Sequence, residues 1–93
     1  MRARFVVRGI VQGVNFRAVT AREATSRELT GRVWNRDDGC VEVIAEGAPQ
    51  RLDELARWLE HGPRSARVEE VERTDLTGEP RYEGFAIAWR APE

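Results

Sequence analysis

The order of strand-like and helix-like segments is the feature that most restricts how this 93-residue chain folds. Runs rich in β-branched residues, or with apolar residues at every second position, indicate strands, whereas apolar residues three and four positions apart indicate helices. The predicted strands cover residues 4–11, 32–35, 40–46, a segment within 67–76, and 83–90, and the predicted helices cover 18–29 and 49–61. This β-α-β-β-α-β order, with one additional C-terminal strand, is typical of the ferredoxin-like split βαβ arrangement. We therefore expect an α+β fold in which two helices cover one face of an antiparallel sheet.

Turn and terminus residues support these boundaries. The Asp37-Asp38-Gly39 segment predicts a hairpin turn, because Asp-Gly accepts positive φ with little penalty. Pro49 suits the first turn of the second helix, and the His61-Gly62-Pro63 segment is typical of a helix end.

Length and charge narrow the class of protein. A chain of this size holds one small core, so we expect a single domain over residues 1–93. No apolar run approaches the roughly 20 residues of a membrane span, and Arg8 interrupts the apolar run behind the N-terminus, which argues against a secretory signal. The net charge of −1 argues against nucleic-acid binding. We expect a cytoplasmic monomer, and the single cysteine, Cys40, fits a reducing compartment.

The basic residues exclude one class of chemistry. All fifteen are arginine, and the chain has no lysine. Mechanisms that need a lysine, such as a Schiff base or a Walker-type phosphate site, are therefore excluded.

The segment over residues 9–17 is the first candidate site. It is a glycine-containing turn between a predicted strand and the start of a predicted helix, where free backbone N–H groups and the helix dipole favour an anion. Arg17 adds a guanidinium that can hold two oxygens of a phosphate at once. The position of Arg17 fits either an anion-binding role or an ordinary ion pair with an acidic residue.

Asn35 is the second candidate. It stands late in the first strand of the hairpin, beside Trp34. One interpretation is a turn-flanking asparagine that bonds local backbone. The other is an amide aimed from the sheet at whatever the first loop holds, since the strands of a split βαβ fold bring the two segments together.

These two segments resemble the acylphosphatase family. Residues 7–17, Val-Arg-Gly-Ile-Val-Gln-Gly-Val-Asn-Phe-Arg, are similar to the phosphate-loop signature of that family, and residues 31–42 are similar to its second block, in which a short strand and Asn precede Asp-Gly-x-Val-Glu. Further similarities are Gly47, the Gly62-Pro63 pair and the closing Gly84-Phe85-x-Ile87. The resemblance spans nearly the whole chain, in order and with the family spacing.

The resemblance implies a specific activity. Acylphosphatases hydrolyse the carboxyl–phosphate bond of small acyl phosphates to a carboxylate and inorganic phosphate, with no metal, no cofactor and no covalent intermediate. The phosphate-binding arginine of the family falls on Arg17 and its water-orienting asparagine on Asn35, which makes these two the predicted catalytic residues. The predicted phosphate-binding residues are Gln12, Gly13, Val14, Asn15, Phe16 and Arg17.

Three positions depart from the family pattern. Asn15 stands where glycine is frequent, and its side chain is able to cap the helix and compete for the loop donors. Ile10 replaces a frequent arginine and removes a charge beside the loop. Glu28 replaces the glycine expected after the first helix, so this helix is expected to end differently.

Other residues and functions are less well supported. We expect His61 to cap a helix C-terminus, Cys40 to be packed or peripheral, and Asp37 and Asp38 to be solvated turn residues. The three tryptophans, at positions 34, 58 and 89, are expected to pack in the sheet and helices.

The alternative function is a non-catalytic phosphate-binding module of the same fold, such as those in larger carbamoyl-handling proteins. A chain that ends at Glu93 favours a freestanding enzyme. An RNA-binding domain is disfavoured because the paired aromatic strand motif is missing.

Overall fold

The computed structural model describes residues 1–92, so Glu93, the last residue of the predicted domain, lies outside the described residues. The elements are β1 (Arg2–Ile10), α1 (Phe16–Ser26), β2 (Thr30–Asn35), β3 (Val41–Glu46), α2 (Pro49–His61), β4 (Arg67–Leu76) and β5 (Phe85–Ile87). The predicted order of elements is confirmed. Helix α2 has the predicted bounds, with Pro49 in its first turn and His61 in its last.

The five strands form one sheet in the order β4-β1-β3-β2-β5. The four strands of the split βαβ unit pair antiparallel, as predicted. Strand β5 instead pairs parallel with β2, so the complete sheet is mixed. The reason is that residues 77–84 carry the chain from one end of the sheet to its other edge before β5 begins.

One hydrophobic core lies between the sheet and both helices. Alternate residues of β1 and β3 face each other across the ladder, with Phe5 opposite Val43 and Val7 opposite Val41. These four side chains are fully buried in one cluster with residues of both helices. Because the helical members, such as Phe16 and Leu55, belong to this cluster, both helices cover the same face of the sheet, as predicted.

A buried carboxylate fastens the 77–84 segment to the opposite end of the sheet from the hairpin turn. Glu46 forms an ion pair with Arg2 at 2.8 Å and accepts hydrogen bonds from the backbone N–H groups of Arg81 at 2.8 Å and Tyr82 at 3.1 Å. Burial raises the pKa of Glu46, but these hydrogen bonds outweigh burial and hold it below the ordinary value. The carboxylate is therefore ionised and satisfied in the folded state.

Helix α1 is shifted towards the N-terminus relative to its prediction. It begins at Phe16 and ends at Ser26, followed by Glu28 at a φ of 59°. The N–H of Glu28 donates to the Thr25 carbonyl and the N–H of Leu29 donates to the Ala24 carbonyl, each at 3.0 Å. This is the Schellman arrangement that glycine usually makes, so here a residue with a side chain occupies the left-handed position.

The C-terminal strand is shorter than predicted. Strand β5 ends at Ile87, so Trp89 follows the strand and its side chain is 88% exposed. The prediction that Trp89 packs in the sheet is therefore wrong, whereas Trp34 is buried and Trp58 contacts Phe16, as predicted. Within residues 1–92, neither helix is long and apolar enough to cross a membrane.

Candidate active site

The loop between β1 and α1 has a backbone suited to an anion. Gly13 has a φ of 74°, and Asn15, the residue that begins the helix, has a φ of 64° and a ψ of 22°. Turns in which left-handed residues alternate with others gather successive N–H groups into a concave surface. Asparagine tolerates this conformation better than most residues, which explains how Asn15 occupies a left-handed position that glycine would ordinarily fill.

The Asn15 side chain does not cap the helix. No hydrogen bond joins it to the first turn of α1, so the expectation that it competes for the loop donors is wrong. The left-handed backbone of Asn15 explains this, because a capping side chain requires extended backbone at that position. The N–H groups at the start of α1 are therefore left available to a bound anion.

The Gln12 side chain ties this loop to the β2–β3 hairpin. Its Nε2 donates to the backbone carbonyls of Arg36 at 2.8 Å and Cys40 at 2.9 Å. These two carbonyls belong to the two ends of the hairpin turn, directly after Asn35. Gln12 was predicted to contribute its backbone, and no sequence signal indicated that its side chain joins the two halves of the site.

A second contact fixes the middle of the loop. The hydroxyl of Ser65, which follows α2, donates to the carbonyl of Val14 at 2.8 Å. Because the C=O and N–H of one trans peptide point in opposite directions, this bond turns the N–H of Asn15 away from Ser65. Ser65 is a second contributor that the sequence did not identify.

Phe16 anchors the start of α1 in the core. It is buried and lies against Trp58, with ring centroids 6.1 Å apart. Its side chain is therefore unavailable to a ligand, and only its backbone N–H can serve in the loop. The phosphate-binding role of Phe16 therefore stays a prediction that concerns its backbone alone.

Arg17 is half-buried and forms no ion pair with any other described residue. The contact that it makes is with Trp89, whose ring centroid lies 5.7 Å from the guanidinium carbon. Arg17 therefore does not form the ion pair that one of the two interpretations predicted. Its donors remain available at the N-terminal end of the helix, beside the loop.

Asn35 faces the side of the sheet that carries the helices. It pairs with Val41 in the register that places Val33 opposite Val43, and these three valines are buried in the core. Its Oδ1 is buried and accepts no hydrogen bond from the described residues. The turn is stabilised by Asp38 instead, whose Oδ1 accepts the N–H of Cys40 at 3.1 Å.

A cavity of about 470 Å³ has Asn35 among its lining residues. It lies between the hairpin and the C-terminal residues 89–91, with Trp34, Arg36 and Trp89 among its lining residues. Strand β5 has ended at this point, since the last bond to β2 runs from the N–H of Ala88 to the Val33 carbonyl.

The remaining candidates carry structural roles. Burial, followed by the nearby Asp38 carboxylate, raises the pKa of the Cys40 thiol, which opposes a nucleophilic role. Asp38 itself accepts from backbone and from Arg36, as a turn residue does. His61 lies in the last turn of α2. Among residues 1–92, no three His, Cys, Asp or Glu side chains cluster closely enough to hold a metal ion.

The structure thus brings the two predicted segments together. Gln12 joins the loop to the hairpin that follows Asn35, and Trp89 contacts Arg17 while lining the cavity beside Asn35. One end of the fold therefore presents a loop with left-handed backbone at a helix start, a guanidinium and an unpartnered amide oxygen.

Comparison with known proteins gives this arrangement a family. The acylphosphatase family model matches residues 3–87. An acylphosphatase from Mannheimia succiniciproducens is 45% identical over 87 residues, which cover 94% of this chain and 97% of that protein. One from Vibrio vulnificus is 48% identical over 84 residues, which cover 90% and 92% of the two chains.

Solved structures agree with this result. The crystal structure of acylphosphatase from Bacillus subtilis superimposes with a TM-score of 0.90 at 35% identity, covering 95% of this chain and 98% of that one. Full-length HypF matches at 27% identity with a TM-score of 0.82, but the match covers only 12% of its chain against 94% of this one. Since the family model covers nearly the whole sequence and relatives named for the activity match along nearly their whole length, the chain belongs to the acylphosphatase family and is a hydrolase of acyl phosphates.

Proposed function

We propose that this chain hydrolyses small acyl phosphates by direct attack of water on phosphorus, without a metal ion and without a covalent intermediate. The loop backbone from Gln12 to Phe16 and the Arg17 guanidinium hold the phosphoryl group, and Asn35 orients the water. Family membership supports the reaction class, and the contacts of these residues support the assignment of roles.

The loop and Arg17 match the charge that the reaction develops. Phosphoryl transfer passes through a loose transition state with charge on the peripheral oxygens, so the protein must mainly hold that charge and align the water. Backbone N–H groups at a helix start and a guanidinium without an ion pair are fixed donors for this purpose. The leaving carboxylate of an acyl phosphate is stable, so neither a lysine nor a thiol nucleophile is needed.

The buried, unpartnered Oδ1 of Asn35 is the observation that carries the proposal. An acceptor left without a partner costs about 1–3 kcal/mol, so a water molecule that donates to it is bound and oriented at this place. The Gln12 bonds to the hairpin hold this amide in register with the loop. Asn35 thus acts by positioning the water, and a strong base is unnecessary.

The proposal also covers the cellular compartment of the enzyme, its oligomeric state and its partners. We place it in the cytoplasm, in keeping with the buried free thiol of Cys40. We also propose that one domain over residues 1–93 acts as a monomer and does not bind nucleic acid. All side chains assigned to the site come from one copy of the chain, and the slightly acidic net charge of −1 does not favour a polyanion.

Acetyl phosphate hydrolysis in the presence of EDTA tests these roles. We expect the wild type to release phosphate, Arg17→Ala to raise KM strongly and lower kcat, and Asn35→Ala to abolish turnover while inorganic phosphate still binds. Arg22→Ala is the matched control, because Arg22 lies exposed on the same helix and should leave both constants unchanged. An inactive wild type that binds phosphate would support the non-catalytic module instead.

A further inference from the structure

Trp89 is a large exposed side chain placed beside the proposed phosphate site. It follows β5 and lies beyond residues 3–87, the part of the chain that the family model matches. The Ala88 N–H donates to the Val33 carbonyl at 2.8 Å, so the backbone immediately before Trp89 is fixed to the edge of β2. Trp89 is 88% exposed, so its place beside Arg17 is set by the main chain that carries it and by the contact with the guanidinium.

The contact between Trp89 and Arg17 is of a kind that preserves the donors of Arg17. The guanidinium carbon lies 5.7 Å from the ring centroid, within the range of a cation–π interaction. An aromatic ring attracts the cation through its face and accepts no strong hydrogen bond from the guanidinium N–H groups. A carboxylate partner would instead occupy the N–H donors that a phosphate needs.

We propose that Trp89 is a positioning residue that holds Arg17 ready to receive the phosphoryl group. The inference rests on the proposed function only in assigning that group to Arg17. A long arginine side chain without an ion pair loses rotamer freedom when it binds an anion, and a contact already present in the free enzyme reduces that loss. The contact changes only the rotamer freedom that Arg17 loses, and that cost is already met when the substrate binds, so the benefit falls on binding and not on kcat.

The experiment compares Trp89→Ala, Trp89→Phe and Tyr82→Ala with the wild type. The readouts are KM and kcat for acetyl phosphate and the inhibition constant of inorganic phosphate. Tyr82 is the matched control because its ring lies 4.9 Å from the guanidinium carbon of Arg32, in an aromatic–arginine pair remote from the loop. Thermal unfolding of each variant shows whether it remains folded under the assay conditions.

For Trp89→Ala we expect KM and the phosphate inhibition constant to rise together by about two- to five-fold, with kcat unchanged, as the strength of an exposed cation–π pair predicts. Trp89→Phe should recover most of this loss, and Tyr82→Ala should change neither constant. Unchanged constants in Trp89→Ala would overturn the proposal. Lower constants would also overturn it, because they would mean that the ring competes with phosphate for Arg17. A wild type that hydrolyses no acyl phosphate would instead contradict the proposed function. The dissociation constant of inorganic phosphate, measured by calorimetric titration of the same proteins, would then still test Trp89, because it needs no turnover.

Discussion

The Gln12 side chain offers the sharpest test of how the two halves of the active site are joined. Its two hydrogen bonds, to the carbonyls of Arg36 and Cys40, are side chain to backbone contacts across 24 and 28 residues of chain. Each bond contributes about 0.5–1.5 kcal/mol net, so Gln12→Ala should lower the free energy of unfolding by about 1–3 kcal/mol. For a chain of this length, this corresponds to a fall in Tm of about 5–15 °C.

The effect on activity should exceed the effect on substrate binding. Without the tie, the hairpin is free to shift against the loop, and a displacement of about 1 Å at a catalytic group costs up to about a hundred-fold in rate. We therefore expect kcat for acetyl phosphate in Gln12→Ala to fall by roughly ten- to a hundred-fold, with a smaller change in KM. Arg17 and the loop backbone, which bind the phosphoryl group, remain in this variant.

The isosteric variant Gln12→Glu separates hydrogen bonding from volume. It replaces the amide donor by an acceptor facing two carbonyl oxygens, so it should be less stable than Gln12→Ala at neutral pH. Gln50→Glu is the matched control, because it makes the same change at an exposed position in the first turn of α2. Urea unfolding measures the stability of the wild type and of these three variants, and steady-state kinetics measure their kcat and KM. A Gln12→Ala protein that loses stability but keeps its kcat would refute the alignment role of the tie.

Three further predictions concern stability and reactivity. Glu28→Gly should raise the free energy of unfolding by about 0.5–1 kcal/mol, because glycine relieves the left-handed strain at a φ of 59°, while Glu28→Ala should not; thermal unfolding compares the two. Burial raises the pKa of Glu46, but its hydrogen bonds lower this pKa by more than burial raises it. The folded pKa therefore lies below the unfolded value of about 4.3. The stabilisation that ionised Glu46 contributes to the folded state is therefore complete above the unfolded pKa. It is lost as the pH falls through the folded pKa. In urea titrations from about pH 6 to 3, Glu46→Gln should lose less stability than the wild type does; an equal loss would contradict the argument. Burial and Asp38 raise the pKa of the Cys40 thiol, so iodoacetamide at neutral pH should alkylate it at least about ten-fold faster in urea than in the native protein.

Local signals allowed much of the fold to be predicted from the sequence. Pro49 and the Gly62-Pro63 pair defined α2 correctly, because these residues restrict the backbone whatever the rest of the chain does. The hairpin turn at residues 37–39 was equally local. The parallel pairing of β5 and its early end depend on where the preceding loop delivers the chain, which no short window of sequence records.

The active site likewise has features that the sequence predicts and features that only the structure shows. The backbone of the loop and the positions of Arg17 and Asn35 follow from neighbouring residues and from the family resemblance. The contacts of Gln12, Ser65 and Trp89 join residues far apart in sequence, and a glutamine, a serine and a tryptophan at such positions are unremarkable in isolation. Their roles depend on tertiary geometry, so only the structure reveals them.

Strand β4 lies at one end of the sheet order, which leaves one side of its ten-residue backbone without a neighbouring strand. An open edge of this length could template pairing with a second copy of the chain. Glu69, Glu70, Glu72 and Asp75 are exposed along it. Arg8 pairs with Glu70 and Glu72, and Arg73 pairs with Asp75, but β4 still carries four acidic residues against two arginines. This acidic excess would oppose the approach of an identical strand. The acidic residues of β4 thus oppose edge-to-edge aggregation at this end of the sheet, and β5 lies at the other end.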